Sequence, residues 1–270
     1  MVEVQFPDLP VPESAIRWFE MWQRIRDEQS LSLELASRRG TAAASAVLLA
    51  SSVAYRLGRG LRSTASFNMD GSGFVLSNAR TDGIDTGTRG IILNAIKDLD
   101  EAQAAATRIA QAVQAQDPTI SPSALRMTRF VLEELGANIV QHSGAPETGY
   151  AFADLEPSSR RMQLSVADCG IGFLASLQRN PELRGRISDD AEALQLAMTP
   201  RVSGTEPSRS NMGWGLKVLL DYSDLLDGEL YIASGNAMLV RKSLAGQRTN
   251  AVRSIPRWAG SWICVDALLR

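Results

Sequence analysis

The alternating run Met162-Gln163-Leu164-Ser165-Val166-Ala167 leads directly into Asp168-Cys169-Gly170-Ile171-Gly172, and this junction constrains the chain more than any other stretch. The alternation predicts a strand with one apolar face. Two glycines two positions apart, just after an aspartate, predict backbone that turns tightly or passes close to another group, since glycine takes dihedrals barred to other residues. Taken alone, the motif also suits an Asp-Gly turn in a hairpin. Its neighbours along the chain decide between these uses.

Upstream, Asp98 to Gln116 is rich in alanine and predicts a helix that ends before Asp117-Pro118. A second helix follows at once. Ser121 supplies an N-cap and Pro122 a first-turn proline, while Leu125, Met127, Phe130, Leu132 and Leu135 carry the apolar face toward His142. Ser143-Gly144-Ala145-Pro146 stops it. On this helix Glu134, Asn138 and His142 stand four residues apart and form one polar stripe. An amide oxygen at Asn138 suits Mg²⁺, and a carboxylate at Glu134 can polarise a hydroxyl. The same spacing suits a solvated helix face. Glu133 lies about 100° around the helix, so Glu134 is the carboxylate that shares Asn138's side.

The run Phe130 to Ser143, with Glu134 and Asn138, resembles the N-box of the GHKL superfamily. Asp168-x-Gly170-x-Gly172 resembles its G1 box, and Gly213-x-Gly215-Leu216, which leads into a helix, its G2 box. The Glu-xxx-Asn-xxx-His form is most similar to the anti-sigma-factor serine kinases of that superfamily. The resemblance covers Asp98 to the C-terminus. It implies a Bergerat-type α/β sandwich, a mixed sheet with helices on one face, that binds ATP with Mg²⁺. It further implies that Asp168 accepts the adenine amino group, that Gly170 and Gly172 let backbone approach the base, and that Asn138 holds the metal. Glu134 is then the catalytic base. Gly213, Gly215 and Leu216 would meet phosphate at a helix N-terminus. Thr199 to Met212 resembles the ATP lid, with Arg201 and Arg209 as phosphate contacts, and Gly260-Ser261 stands where the family commonly has Gly-Thr, making Ser261 a contact.

The front of the chain is expected to be a smaller α/β region over residues 1–95, followed by the nucleotide domain over 96–270. Glu13 to Glu28 predicts an amphipathic helix whose apolar face suits core or homodimer packing. Leu31, Leu33 and Leu35 predict a strand, Ala42 to Leu57 a helix, and Arg62 to Ser77 a hairpin around Asn68–Gly73. Gly83, Gly87 and Gly90 punctuate a loop. Strand followed by Ala/Leu helix resembles STAS-like domains. At the far end, Glu229 to Val240 and Gly260 to Val265 predict closing strands, with a polar stretch from Lys242 to Arg257 between them.

Several functions are excluded. A formal net charge of -2 offers no electrostatic pull on nucleic acid or anionic membranes. Cys169 and Cys264 form no CxxC pair, which argues against a zinc site. His142 is the only histidine, so no separate phosphoacceptor histidine exists and a sensor histidine kinase is not expected. Neither a Walker A sequence nor a Gly-x-Ser-x-Gly elbow occurs. Without a leader-like start or a spanning apolar run, a cytoplasmic protein is expected. Two functions remain: an ATP-dependent serine/threonine protein kinase or ATPase acting on a protein partner, for which the resemblance suggests a STAS-like protein, or a nucleotide-dependent switch whose lid controls a protein interaction.

Overall fold

The computed structural model describes residues 2–6, 11–37, 42–69, 72–76, 84–85, 92–199, 202, 215–244 and 246–269. The chain begins with β1 (Val2–Phe6), α1 (Glu13–Ile25), β2 (Ser30–Ser37), α2 (Ala42–Gly58), β3 (Arg62–Met69) and β4 (Ser72–Leu76). These strands form a four-stranded sheet in the order β1-β2-β3-β4, parallel except for the β3/β4 hairpin. Leu31, Leu33, Leu35, Ala65 and Phe67 are buried on one face, while Glu34 and Thr64 are exposed on the other. The expected strand, helix and hairpin of this region are all present. Gly83, Gly87 and Gly90 lie outside the described residues.

A second sheet has the order β5-β6-β7-β8-β10-β9, from β5 (Ile84–Asp85), β6 (Ile92–Ile96), β7 (Gly149–Glu156), β8 (Arg161–Asp168), β9 (Glu229–Leu244) and β10 (Gln247–Leu268). Its neighbouring strands pair antiparallel. The helices α3 (Leu99–Gln116), α4 (Pro122–His142) and α7 (Gly215–Leu225) cover one face, and α5 (Gly172–Leu177) and α6 (Asp190–Ala197) pack near β9 and β10. This is the expected Bergerat-type α/β sandwich, except that the described strands of its sheet pair antiparallel throughout where a mixed sheet was expected, and helices cover both faces instead of one. Local chemistry places its helices: Asp98 caps α3 by accepting from Glu101 N–H at 2.8 Å, and Ser121 caps α4 by accepting from Ala124 N–H at 3.2 Å, just ahead of Pro122.

The other face of the second sheet is covered as well. Residues 43–53 of α2 are buried without a break, which is how a helix apolar all round must sit. It lies between the two sheets, against β3 on one side and β7 and β8 on the other. α1 runs beside it over β10, with Trp18, Phe19 and Trp22 buried. Phe19 meets Trp258 at 5.3 Å and Trp262 at 6.0 Å between ring centroids, and Trp22 meets Trp258 at 6.1 Å. The fully buried Arg56 closes the first unit. Its guanidinium donates to the carbonyls of Ile25, Arg26, Glu28 and Arg62 and to Ser63 Oγ at 2.6–3.1 Å, which uses all five donors.

β9 does not run straight. Fifteen residues of extended chain span roughly 50 Å, yet Ser243 N–H donates to Gly228 O at 2.9 Å and Arg241 forms a two-pronged pair with Asp224. The strand therefore doubles back. Gly235 sits at φ 57° where it does so, and Asp190 accepts from the next residue's N–H, Asn236, at 2.8 Å. The polar stretch Lys242 to Arg257 thus continues the β-structure as a folded-back ribbon rather than leaving it.

Candidate functional site

α4 buries Leu125, Thr128, Val131, Leu132, Leu135 and Ile139 and turns Glu134, Asn138 and His142 to a half-buried neighbouring stripe. Gly136 lies on the inner side, where an added Cβ would stand 2.7 Å from Ala102 Cβ, so this glycine sets how closely α3 and α4 approach. The adjacent carboxylates differ. Glu133 takes Arg129 at 2.7 Å, whereas Glu134 has no cation partner among the described residues. Burial, with a smaller contribution from Glu133, pushes the Glu134 carboxyl above its ordinary value. Burial and the nearby Arg179 hold His142 below the usual imidazole range, which favours its neutral form.

The loop after β8 is stitched to the end of α4. Ile171 N–H donates to Ser143 O at 2.8 Å, and Cys169 N–H donates to Thr148 Oγ1 at 2.9 Å. A Cβ on Gly170 would stand 2.1 Å from Ser143 O, so no other residue passes there. Gly172 takes φ 74° and opens α5, where Phe173 N–H donates to Ser234 Oγ at 2.9 Å. The motif is a loop joined to a helix end, not a hairpin turn.

Asp168 ends β8 with 3% of its surface exposed. Its Oδ1 accepts from Gly170 N–H at 2.8 Å, and the backbone and hydroxyl of Ser261, its partner across the ladder, also donate to it. Burial outweighs these bonds and lifts the carboxyl to about 6. Gly260 is equally tied to the place, since its Cβ would fall 2.1 Å from Asp168 O. The structure thus brings Asp168, Gly170, Gly172 and Ser261 together beside the C-terminal end of α4. Gly215 opens α7, and Leu216 is partly buried against the cores on either side of it. α7 is fixed to α4 by a buried 2.7 Å bond between Thr128 Oγ1 and Tyr222 Oη. Gly213, Arg201 and Arg209 lie outside the described residues.

The model of the histidine kinase-like ATPase domain matches residues 96–241. The chain belongs to this family. Among curated proteins nothing matches it. An ATPase domain of the histidine kinase-like type binds ATP, and the described residues of the three stretches that resemble its boxes lie in α4, in the β8–α5 loop and at the start of α7. Two members of the constellation escaped the sequence reading. Gly260 was visible only as half of a Gly-Ser pair, and Trp258, whose Nε1–H donates to Asp168 O at 3.1 Å, falls between the stretch read as a polar excursion and the expected closing strand. No helix among the described residues is long and apolar enough to cross a membrane.

Proposed function

We propose that this ATPase-family protein is a Mg-ATP-dependent regulatory enzyme that transfers a phosphoryl group to a serine or threonine of a protein partner. One observation carries the reading. Of two adjacent carboxylates on α4, only Glu134 lacks a cation among the described residues, and its burial raises it above the ordinary carboxylate value, as suits a base. Asp168 recognises adenine: its buried carboxylate is an acceptor held by Gly170 and Ser261, and it fits the amino group of that base. Gly170 and Gly172 shape the loop beside the base, and Gly213, Gly215 and Leu216 present the N-terminal end of α7 to phosphate.

Asn138 supplies an amide oxygen to Mg²⁺. Phosphate and water oxygens, the hard ligands this ion prefers, would complete the shell around it. ATP supplies the phosphoryl group. Glu134 takes the proton of the acceptor hydroxyl as its oxygen bonds to the γ-phosphorus and the bridge to the β-phosphate breaks, releasing ADP. A cytoplasmic STAS-like protein, or a second copy of this chain, is the partner this reading calls for.

The test follows γ-labelled ATP in the presence of Mg²⁺ and candidate partners. Label is expected on a partner serine or threonine, and Glu134→Gln should reduce transfer about 10²–10⁴-fold while ATP still binds. Failure to bind at millimolar ATP would sink the reading. A second reading, a nucleotide-driven switch without a protein substrate, is favoured by the docking of α2 behind β8, the strand that carries Asp168, and of α1 over the neighbouring β10. In that case Glu134→Gln leaves the partner response intact.

A further inference from the structure

The strand end that carries Asp168 is gripped from behind. Ser51, fully buried in α2, donates its hydroxyl to Ala167 O at 3.1 Å. Trp258, also fully buried, donates Nε1–H to Asp168 O at the same 3.1 Å. These two carbonyls belong to the peptide groups on either side of the Asp168 Cα. Because each peptide is planar, fixing both fixes φ and ψ between them, and so the direction in which the Asp168 side chain leaves the backbone. Both donors depend on the N-terminal unit. Ser51 is part of it, and the Trp258 ring rests on Phe19 and Trp22 of α1. α1 and α2 are tied to each other next door, where Trp18 Nε1–H donates to Ser52 Oγ at 3.2 Å.

We propose that Ser51 and Trp258 are positioning residues for the adenine-recognising carboxylate of Asp168. Through them the N-terminal helices set the site's selectivity for adenine, and bound ATP in turn stiffens their docking. The inference rests on Asp168 being the adenine acceptor. A hydrogen bond to a base edge is steep in angle and distance, so a small rotation of the carboxylate costs base recognition while leaving the phosphate contacts proposed at the N-terminal end of α7 untouched. Linkage requires the reverse effect of equal size.

The experiment measures binding of Mg-ATP and of Mg-bound purine riboside triphosphate, which lacks the 6-amino group, to the full chain by calorimetry. Ser51→Ala and Trp258→Phe each remove one hydrogen bond, and the phenyl ring keeps packing area against Phe19 and Trp22. Each variant should bind ATP about five-fold more weakly, the scale of one net hydrogen bond, with the amino-free nucleotide unchanged. Ser51→Thr should restore ATP affinity. Hydrogen exchange in α2 should slow on adding ATP to the wild type and not to Ser51→Ala. Equal loss of both nucleotides, or unaltered preference for ATP in both variants, overturns the inference and leaves the nucleotide site standing. Wild-type protein that binds neither nucleotide overturns the site and the inference together. Should Ser51→Ala fail to fold, Trp258→Phe decides alone.

Discussion

The two faces of the six-stranded sheet are built from different materials. Toward α3, α4 and α7 the sheet presents Leu155, Met162, Leu164, Val166, Leu230, Ile232 and Val265, and among the described residues the only fully buried aromatic in that core is Tyr222. Toward α1 and α2 it presents Tyr150, Phe152, Tyr231, Trp258 and Trp262, met by Trp18, Phe19 and Trp22. The first core is aliphatic and, apart from the Thr128–Tyr222 hydrogen bond, non-directional. The second combines rings with hydrogen bonds from Trp18, Ser51 and Trp258, which permit fewer relative placements. A directional contact behind a nucleotide site is suited to carrying information. An oily one mainly supplies stability.

The largest expected effect tests whether the faces form one folding unit. Trp22→Ala, 1% exposed in the aromatic core, should cost about 3–5 kcal/mol. Four of the five tryptophans lie in that core, so fluorescence reports it and far-UV circular dichroism reports the whole. In urea both signals should shift together, whereas a fluorescence change that leaves the dichroism transition in place would separate the two units.

Asp168→Asn comes next and has opposite consequences for binding and stability. ATP binding should be lost. Because the folded carboxyl is raised to about 6 from 3.8, its favourable contribution is fully present below pH 3.8 and is lost as pH rises through 6. At pH 7.5 the neutral amide should therefore make the nucleotide-free protein more stable than the wild type by up to about 3 kcal/mol. Melting curves from pH 4 to 8 check this, and a gap that does not close at the acid end contradicts it.

Tyr222→Phe examines the aliphatic side. The ring stays and the bond to Thr128 goes, while Thr128 still donates to Ala124 O at 2.9 Å. The cost should be about 1 kcal/mol by urea denaturation, without the change in adenine selectivity expected behind β8. Smallest of all, Gly58→Ala at the end of α2, where an added Cβ meets nothing within 4 Å, should raise stability by about 0.5–1 kcal/mol. A loss there would mean that the helix end is under constraint from elsewhere.

Much of the aliphatic side was legible in the sequence because its signals are local. Asp98, Ser121 and Pro122 mark helix starts, and the α4 stripe and the β8 alternation place Glu134, Asn138 and Asp168 within a few residues of their observed positions. The aromatic side was legible only as separate elements. That α1 belongs over β10 depends on Phe19 meeting residues more than 230 positions away, and no periodicity encodes such a pairing. Trp258 was hidden for a related reason. It sits among Arg253, Ser254 and Arg257, and its burial follows from the fold-back of the ribbon rather than from its neighbours.

Arg56 has one further consequence. Its five acceptors are four carbonyls and a hydroxyl drawn from the end of α1, the approach to β2 and the start of β3, so every direct partner in the knot is uncharged, and the Glu28 and Asp27 carboxylates act on Arg56 only through space. That joint should tolerate brine and mild acid alike, yet not a lysine, whose three donors cannot reach five places.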